Sequence, residues 1–352
     1  MAKIKCLIHS HSRAGIHVEQ IYTGFFMLHR ADLVRVTQNT GFKYKWSTHL
    51  RVILNDKIKL HYDVFDGSKI DADYLDEADF YFKRSYSLNH LQAYGENQKK
   101  VHPFGLNYEV YPSCIDKFAL KRAIILRRKT KKIPAIIRAL NIPNHKLFTP
   151  RVNNMQSLPD YEAKPKILFM ARAYETNKSP EIPSEEAIFL KNINEMRADC
   201  IRLLRKEFGD RFYGGFIHTD FAIKNYPDLL MPHKTIALKE NYINLLKSYP
   251  ICVATTGLHG SIGWKFAEYV AFSKAIISEE LNFELPGGIE KGINYLGFST
   301  PEGCLNEAIR VYRDKEIRNN LMMNNWRYYQ SNLKPDSLIL NTLATALREA
   351  YG

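Results

Sequence analysis

Cys252-Val253-Ala254-Thr255-Thr256-Gly257-Leu258-His259-Gly260-Ser261-Ile262-Gly263-Trp264-Lys265-Phe266-Ala267-Glu268-Tyr269-Val270-Ala271-Phe272-Ser273-Lys274-Ala275-Ile276-Ile277-Ser278 is the stretch whose reading decides the fold. With Ile251 before it, the apolar, β-branched start reads as a strand of a parallel sheet, buried on both faces. Gly257, Gly260 and Gly263 punctuate the loop that follows, where the backbone needs positive φ or a close approach to a ligand. Residues 264–272 carry apolar side chains at helical spacing, and 275–277 return to the sheet. A strand, loop, helix, strand unit places its loop and helix N-terminus at the carboxyl edge of the sheet. Open α/β sheets bind phosphorylated ligands there. Lys265 at the helix start suits an anion. Glu268, one turn later on nearly the same face, suits the hydroxyls of a ribose.

Lys265-x-x-Glu268 with the following Tyr269-Val-Ala-Phe-Ser-Lys-Ala-Ile-Ile-Ser278 resembles the nucleotide-sugar signature of GT-B glycosyltransferases. The resemblance covers the C-terminal half of the chain; the N-terminal half shares only the general plan. It implies two Rossmann-like domains facing a cleft, with the glutamate at Glu268 on the donor's ribose and a nearby Lys or Arg on its diphosphate. Two departures stand out. Many retaining members carry a second glutamate eight positions upstream, where this chain has Gly260. Gly and Pro near the end of the signature are replaced by Ser273 and Ala275. Retention or inversion is therefore left open. The alternative for the stretch alone is an ordinary βαβ unit with a surface Lys–Glu pair, since such units host many functions.

A chain of 352 residues exceeds one compact core and predicts two domains. Hydrophobic content of 45% and charged content of 25% match a soluble globular protein and leave no apolar run long enough for a transmembrane helix. The start, Met1-Ala-Lys-Ile-Lys-Cys-Leu-Ile-His-Ser10, reads as a strand rather than a signal peptide. Five scattered cysteines make no C-x-x-C pair and read as buried thiols in a reducing compartment. The formal charge of +13 favours an anionic partner.

The first strand, 3–9, runs into His9-Ser-His11-Ser-Arg-Ala-Gly-Ile-His17 ahead of an amphipathic helix over 18–30. Imidazoles in such a loop suit a base near neutral pH, so His11 and His17 are the candidate catalytic residues; solvated or hydrogen-bonded histidines are the plainer alternative. Strands are predicted at 33–36, 57–65 and 79–86, and 100–109 reads as another strand-to-loop passage. Lys83 and Arg84, ending one of them, are candidate acceptor contacts or a solvated pair.

Between Lys117 and Lys146 the chain is strongly basic without one acidic residue, interleaved with Ile and Leu, and Pro134 predicts a break into two helices. From Lys117 to Arg138 this reads as a contact for an anionic membrane surface, or as a solvated helix face. No nucleic-acid motif accompanies it.

The second domain restarts at 166–170. By the resemblance, Arg172 and Lys178 after this strand lie near the diphosphate, and Gly257, Lys265 and Glu268 complete the donor contacts. The expected organisation is an acceptor domain over 1–155, a nucleotide-sugar domain over 160–334, and a last helix over 335–352 crossing back to the first. Asp336-Ser337 would cap that helix. Without a D-x-D motif at a strand end in the second domain, no metal or cofactor is expected, and cations with the helix dipole must stabilise the leaving diphosphate. The resulting expectation is a cytoplasmic glycosyltransferase docked at the inner face of a membrane. It would use a nucleotide-sugar and a glycan or lipid-linked glycan acceptor, as in bacterial surface polysaccharide synthesis. A sugar-nucleotide epimerase, or a membrane- or polyanion-binding protein on the same fold, are the alternatives.

Overall fold

In a computed structural model the chain forms two compact units. Unit 1 is Met1–Met155 with Asn282–Gly288 and Tyr328–Gly352; unit 2 is Gln156–Leu281 with Ile289–Arg327. The described residues are all but 1–2, 12–14, 125–128, 143–147 and 177–183, and the side chains of 129–131 and 184 also lie outside the description. The α/β reading with two Rossmann-like units holds.

Unit 1 runs β1 (Ile4–His9), α1 (Glu19–Arg30), β2 (Val34–Asn39), β3 (His49–Leu54), β4 (Ile58–Asp63), α2 (Ala72–Glu77), β5 (Phe80–Lys83), α3 (Leu88–Leu91), β6 (Val101–Pro103), α4 (Lys117–Ile124) and α5 (Lys129–Ala139). Its sheet has the order β2-β1-β3-β4-β5-β6. Strand β3 was not expected, and it makes the sheet mixed, because it pairs antiparallel to both β1 and β4. A three-residue turn, 55–57, closes the β3–β4 hairpin, with Asn55 at φ 50° and Asp56 at φ 59°. Asn and Asp tolerate positive φ best after Gly. The Asn55 side chain also accepts a hydrogen bond from the Lys5 amide at 2.9 Å. Pro134 does not separate two helices as expected; it lies inside α5.

The helix Pro335–Tyr351 packs on α1 within this unit, with Tyr62 and Thr342 hydroxyls 2.9 Å apart and Gln20 Nε2 donating to the Leu333 carbonyl at 3.0 Å. Pro335 occupies its first turn behind Lys334, with no side-chain cap, so the expected Asp336-Ser337 cap is not made. Gly24 sets how closely α1 approaches: a Cβ there would stand 2.3 Å from the Pro335 carbonyl oxygen and 2.4 Å from Ile339. Backbone cannot yield as a flexible side chain does. Gly24→Ala is expected to destabilise unit 1 by about 1–3 kcal/mol, the range for overpacking. Urea unfolding checks this, and an unchanged midpoint would contradict it.

Unit 2 runs β7 (Ile167–Ala171), α6 (Ser184–Phe208), β8 (Phe212–Phe216), α7 (Asp220–Asn225), α8 (Lys239–Lys247), β9 (Ile251–Ala254), α9 (Trp264–Ala271), β10 (Ala275–Glu279), β11 (Tyr295–Phe298), α10 (Pro301–Arg313) and α11 (Lys315–Tyr328). The strands are parallel in the order β11-β10-β9-β7-β8. The connection from β7 to β8 runs to one side and that to β9 to the other, so β7 and β9 flank the switch point where the loops diverge. Both strands are buried throughout, which is why their sequences are continuous apolar runs.

The deciding stretch folds as read: strand β9, glycine loop, helix α9, strand β10. Ser273, at the position where the signature has Gly, is left-handed (φ 53°). Its hydroxyl donates to the Ser157 carbonyl at 2.6 Å, which helps hold a conformation that glycine adopts without strain. Among the described residues no helix is long and apolar enough to cross a membrane.

Candidate functional site: a cation cluster at the switch point of unit 2

Arg172 follows β7 directly, and its side chain is exposed at the carboxyl end of the sheet. Two residues of α6 that the sequence reading passed over build the frame beside it. Asn194 accepts from the Tyr174 amide and donates to the Tyr174 carbonyl, each at 2.8 Å, so it pins the loop after β7. Arg197, one helical turn on and 5% exposed, donates to the Arg172 carbonyl (2.5 Å), the Thr255 hydroxyl (2.9 Å) and the Thr256 carbonyl (2.7 Å). Its guanidinium lies 4.8 Å over the Tyr174 ring. One planar fork therefore ties the loop after β7 to the loop after β9, a geometry lysine cannot supply. On the other side, Glu279 at the end of β10 accepts from the Thr256 amide (2.6 Å) and hydroxyl (3.0 Å).

The glycine loop uses its freedom selectively. Positive φ occurs at His259 (57°) and Gly260 (68°), while Gly257 is at −97° and Gly263, the N-cap of α9, at −68°. Gly257 answers to space instead. Its amide donates to the Ser261 carbonyl at 2.8 Å, and a Cβ would stand 2.8 Å from the Ser261 hydroxyl. The left-handed backbone at Gly260 would strain any side chain placed there.

Lys265 and Glu268 lie in the first two turns of α9. Glu268 is buried and ion-paired to Lys239, the first residue of α8. Lys265 makes no ion pair within 4 Å among the described residues, and its ammonium is 6.0 Å from the Tyr242 ring centre. Burial pushes the Lys265 ammonium down to about 8; Glu268 opposes this, while Arg197, Lys239 and Arg172 add repulsion. Arg172, Arg197 and Lys239 thus all repel the Lys265 ammonium, and Glu268 is the carboxylate that offsets them. Such a cluster is poised for an anion, which relieves the repulsion when it binds. Arg172, Gly257, Lys265 and Glu268 are brought to one end of the sheet; Lys178 lies outside the described residues. His218 has Nε2 2.7 Å from the Met231 carbonyl oxygen.

In unit 1, His11 is 8% exposed. Its Nε2 faces the His49 carbonyl, so that nitrogen carries the proton and donates. Its ring stacks 4.1 Å from Tyr44. Burial pushes its pKa down to about 4. His17 is half-buried just ahead of α1; burial lowers its pKa, Asp66 and Glu109 raise it, and Arg84 lowers it further.

Lys83 and Arg84 are not open acceptor contacts. Lys83 is fully buried with its ammonium 2.9 Å from Asp63, and Arg84 is buried and paired to Asp66. Asp63 also accepts from the Tyr81 hydroxyl at 2.7 Å, and His49 Nδ1 lies 2.9 Å from His61 Nε2. A polar network fills this part of the unit.

The basic segment is also split by burial. Lys117, Lys121, Ile124 and Ile133 face outward, but Arg122 turns inward onto Glu19 (3.3 Å) over the Tyr22 ring. Among the described residues no group of three or more His, Cys, Asp or Glu is placed to hold a metal ion.

No family model and no curated protein matches this sequence. Among solved structures, the chain trace is similar to a glycosyltransferase from Rickettsia africae ESF-5 (12% identity over 95% of this chain and 82% of that one, TM-score 0.40). It is also similar to an α,α-trehalose-phosphate synthase (UDP-forming) from Burkholderia vietnamiensis (12% identity, 83% and 69%, TM-score 0.41). A third is S. aureus MnaA with UDP (15% identity, 78% and 62%, TM-score 0.37), of whose length this chain spans less than two thirds. The likeness is one of chain trace at low identity, and the two Rossmann-like units stand on their own strand orders.

Proposed function

We propose that this protein is a glycosyltransferase that moves a sugar from a nucleotide-sugar to a hydroxyl of a glycan acceptor, with the donor's nucleoside diphosphate held in unit 2. The observation that carries this reading is the set of cations around buried Glu268 at the β7/β9 switch point. Arg172, Lys239 and Lys265 would take the diphosphate, and the start of α9 adds the positive end of its dipole. Glu268 would accept the ribose hydroxyls.

As the bond from sugar to phosphate breaks, negative charge grows on the leaving diphosphate, and preplaced cations stabilise that charge more than the ground state. No metal is required by this scheme. Of the two candidate histidines, His17 is the better base, because Asp66 and Glu109 favour its protonated form and so oppose the effect of burial. A cell-surface glycan is the acceptor class this reading favours, and the outward Lys117, Lys121, Ile124 and Ile133 suit docking on an anionic membrane.

The experiment compares inorganic pyrophosphate with a panel of nucleoside diphosphates by calorimetry. The wild type is expected to prefer one diphosphate over pyrophosphate by about tenfold or more, the gain of a charge-assisted ribose contact. Glu268→Ala should lose that preference yet keep pyrophosphate, because it removes a carboxylate and none of the cations. A wild type that binds no nucleoside diphosphate sinks the proposal.

A further inference from the structure

A second ligand site is built into unit 1, apart from the donor reading and not dependent on it. Between α1, α4, α5 and the Tyr111–Pro112 turn lies a small open cleft with His11, Glu19, Tyr111, Asp116, Arg122 and Arg138 on its walls. Most of these polar groups are already matched. Glu19 holds Arg122 at 3.3 Å. Asp116 caps α4, accepting from the Phe118 and Ala119 amides at 2.9 Å each. The Tyr111 hydroxyl donates to Glu109 at 3.0 Å.

Two groups are not matched. The Arg138 side chain makes no hydrogen bond or ion pair among the described residues, and its Nε is buried without an acceptor. Its guanidinium rests 5.5 Å from the Tyr111 ring centre, and its own carbonyl is held by Arg151 Nη2 at 3.1 Å, which fixes the end of α5 that bears it. Among the described residues no donor reaches His11 Nδ1, and donation from Nε2 to the His49 carbonyl makes Nδ1 the lone-pair nitrogen. The ring is uncharged at neutral pH, so this nitrogen accepts and does not donate. The buried donor without an acceptor costs stability, and the lone-pair nitrogen in the same cleft offers a ligand a second polar contact.

We propose that this cleft binds a small hydroxylated anion, with a phosphate or carboxylate oxygen on Arg138 and a hydroxyl donating to His11 Nδ1. Sugar phosphates and polyol phosphates are the chemical class that carries both groups. The same chemistry occurs in a free phosphorylated sugar and in the glycerol phosphate headgroup of a lipid. The matched Glu19–Arg122 pair discriminates further, since a bare polyanion gains a second cation only by breaking it.

Calorimetry on the full chain with glycerol 3-phosphate, ethyl phosphate and inorganic phosphate tests the site. Glycerol 3-phosphate is expected to bind the wild type at least fivefold more tightly than ethyl phosphate, which lacks the free hydroxyls. Arg138→Gln should weaken glycerol 3-phosphate about tenfold or more, Arg138→Lys less, and Lys121→Gln on the outer face not at all. Arg138→Lys also guards against a fold defect, because it keeps the charge and most of the packing. His11→Phe should bind both esters equally.

Vesicles containing phosphatidylglycerol separate the sources. Capture that Arg138→Gln abolishes identifies the lipid headgroup; soluble binding without capture identifies the free phosphate ester. The proposal is overturned if glycerol 3-phosphate does not bind, if Arg138→Gln binds it as the wild type does, or if inorganic phosphate binds as tightly.

Discussion

Affinity for a nucleoside diphosphate is expected to fall about tenfold between pH 7 and pH 9, and Lys265→Met is expected to remove that dependence together with most of the affinity. The cause is the buried ammonium of Lys265, held down to about 8 where an exposed lysine titrates near 10.5. Only the charged form attracts a diphosphate, so the fraction competent to bind halves near pH 8 and drops about tenfold one unit higher. For stability the sign is the reverse. Between about 8 and 10.5 the unfolded chain holds a proton on Lys265 that the folded chain has released, so this group makes the free protein more stable as pH rises. Ligand affinity and intrinsic stability should therefore move in opposite directions across the window. Calorimetric titrations at pH 7, 8 and 9 with wild type and Lys265→Met decide it, and a flat wild-type profile would remove Lys265 from the donor site.

Acidification is expected to destabilise unit 1 strongly while sparing the core strands of unit 2. His9, His11, His17, His49, His61 and His102 all lie in unit 1, and burial lowers the pKa of each. The folded unit keeps them neutral where the unfolded chain binds protons, starting near the ordinary value of 6.5. Stability is therefore lost as pH falls through that value, and for His11 the loss continues down to about 4. His11 alone accounts for roughly 3 kcal/mol across this span.

His49 and His61 add a geometric reason. Their facing nitrogens, 2.9 Å apart, share one proton, and protonating both rings would set two N–H groups against each other. Hydrogen exchange at pH 7 and pH 5 should show β1, β3, β4 and β5 losing protection while β9 and β10 keep theirs. Equal protection at both pH values in unit 1 would contradict this account.

Much of the fold was legible because parallel strands buried on both faces must be apolar runs. Thus 166–170, 251–255 and 275–277 were each found to within two or three residues at their ends. Strand β3 was missed because His49 and Arg51 interrupt its pattern: His49 is buried through hydrogen bonding, which a hydropathy reading counts as exposure. The Asn55-Asp56 turn was the available signal. Lys83 and Arg84 were misplaced for a related reason, since a cation at a strand end reads as solvated unless its carboxylate, tens of positions away in neither motif nor period, is known. Arg197 carried no signal beyond its spacing of three from Asn194 on α6.

By itself, then, the sequence determined the strand–loop–helix–strand unit, the placement of Lys265 and Glu268 on one helix face, and the two-unit α/β plan. These depend on periods of two and 3.6 residues and on glycine and proline, all local properties of the chain. Tertiary structure alone decided that Arg197 joins the two switch-point loops, that Glu268 is paired with Lys239, and that Arg138 and His11 line one cleft. Those outcomes depend on which charged groups meet after folding, and hydrogen bonds and Coulomb interactions act through space rather than along the chain.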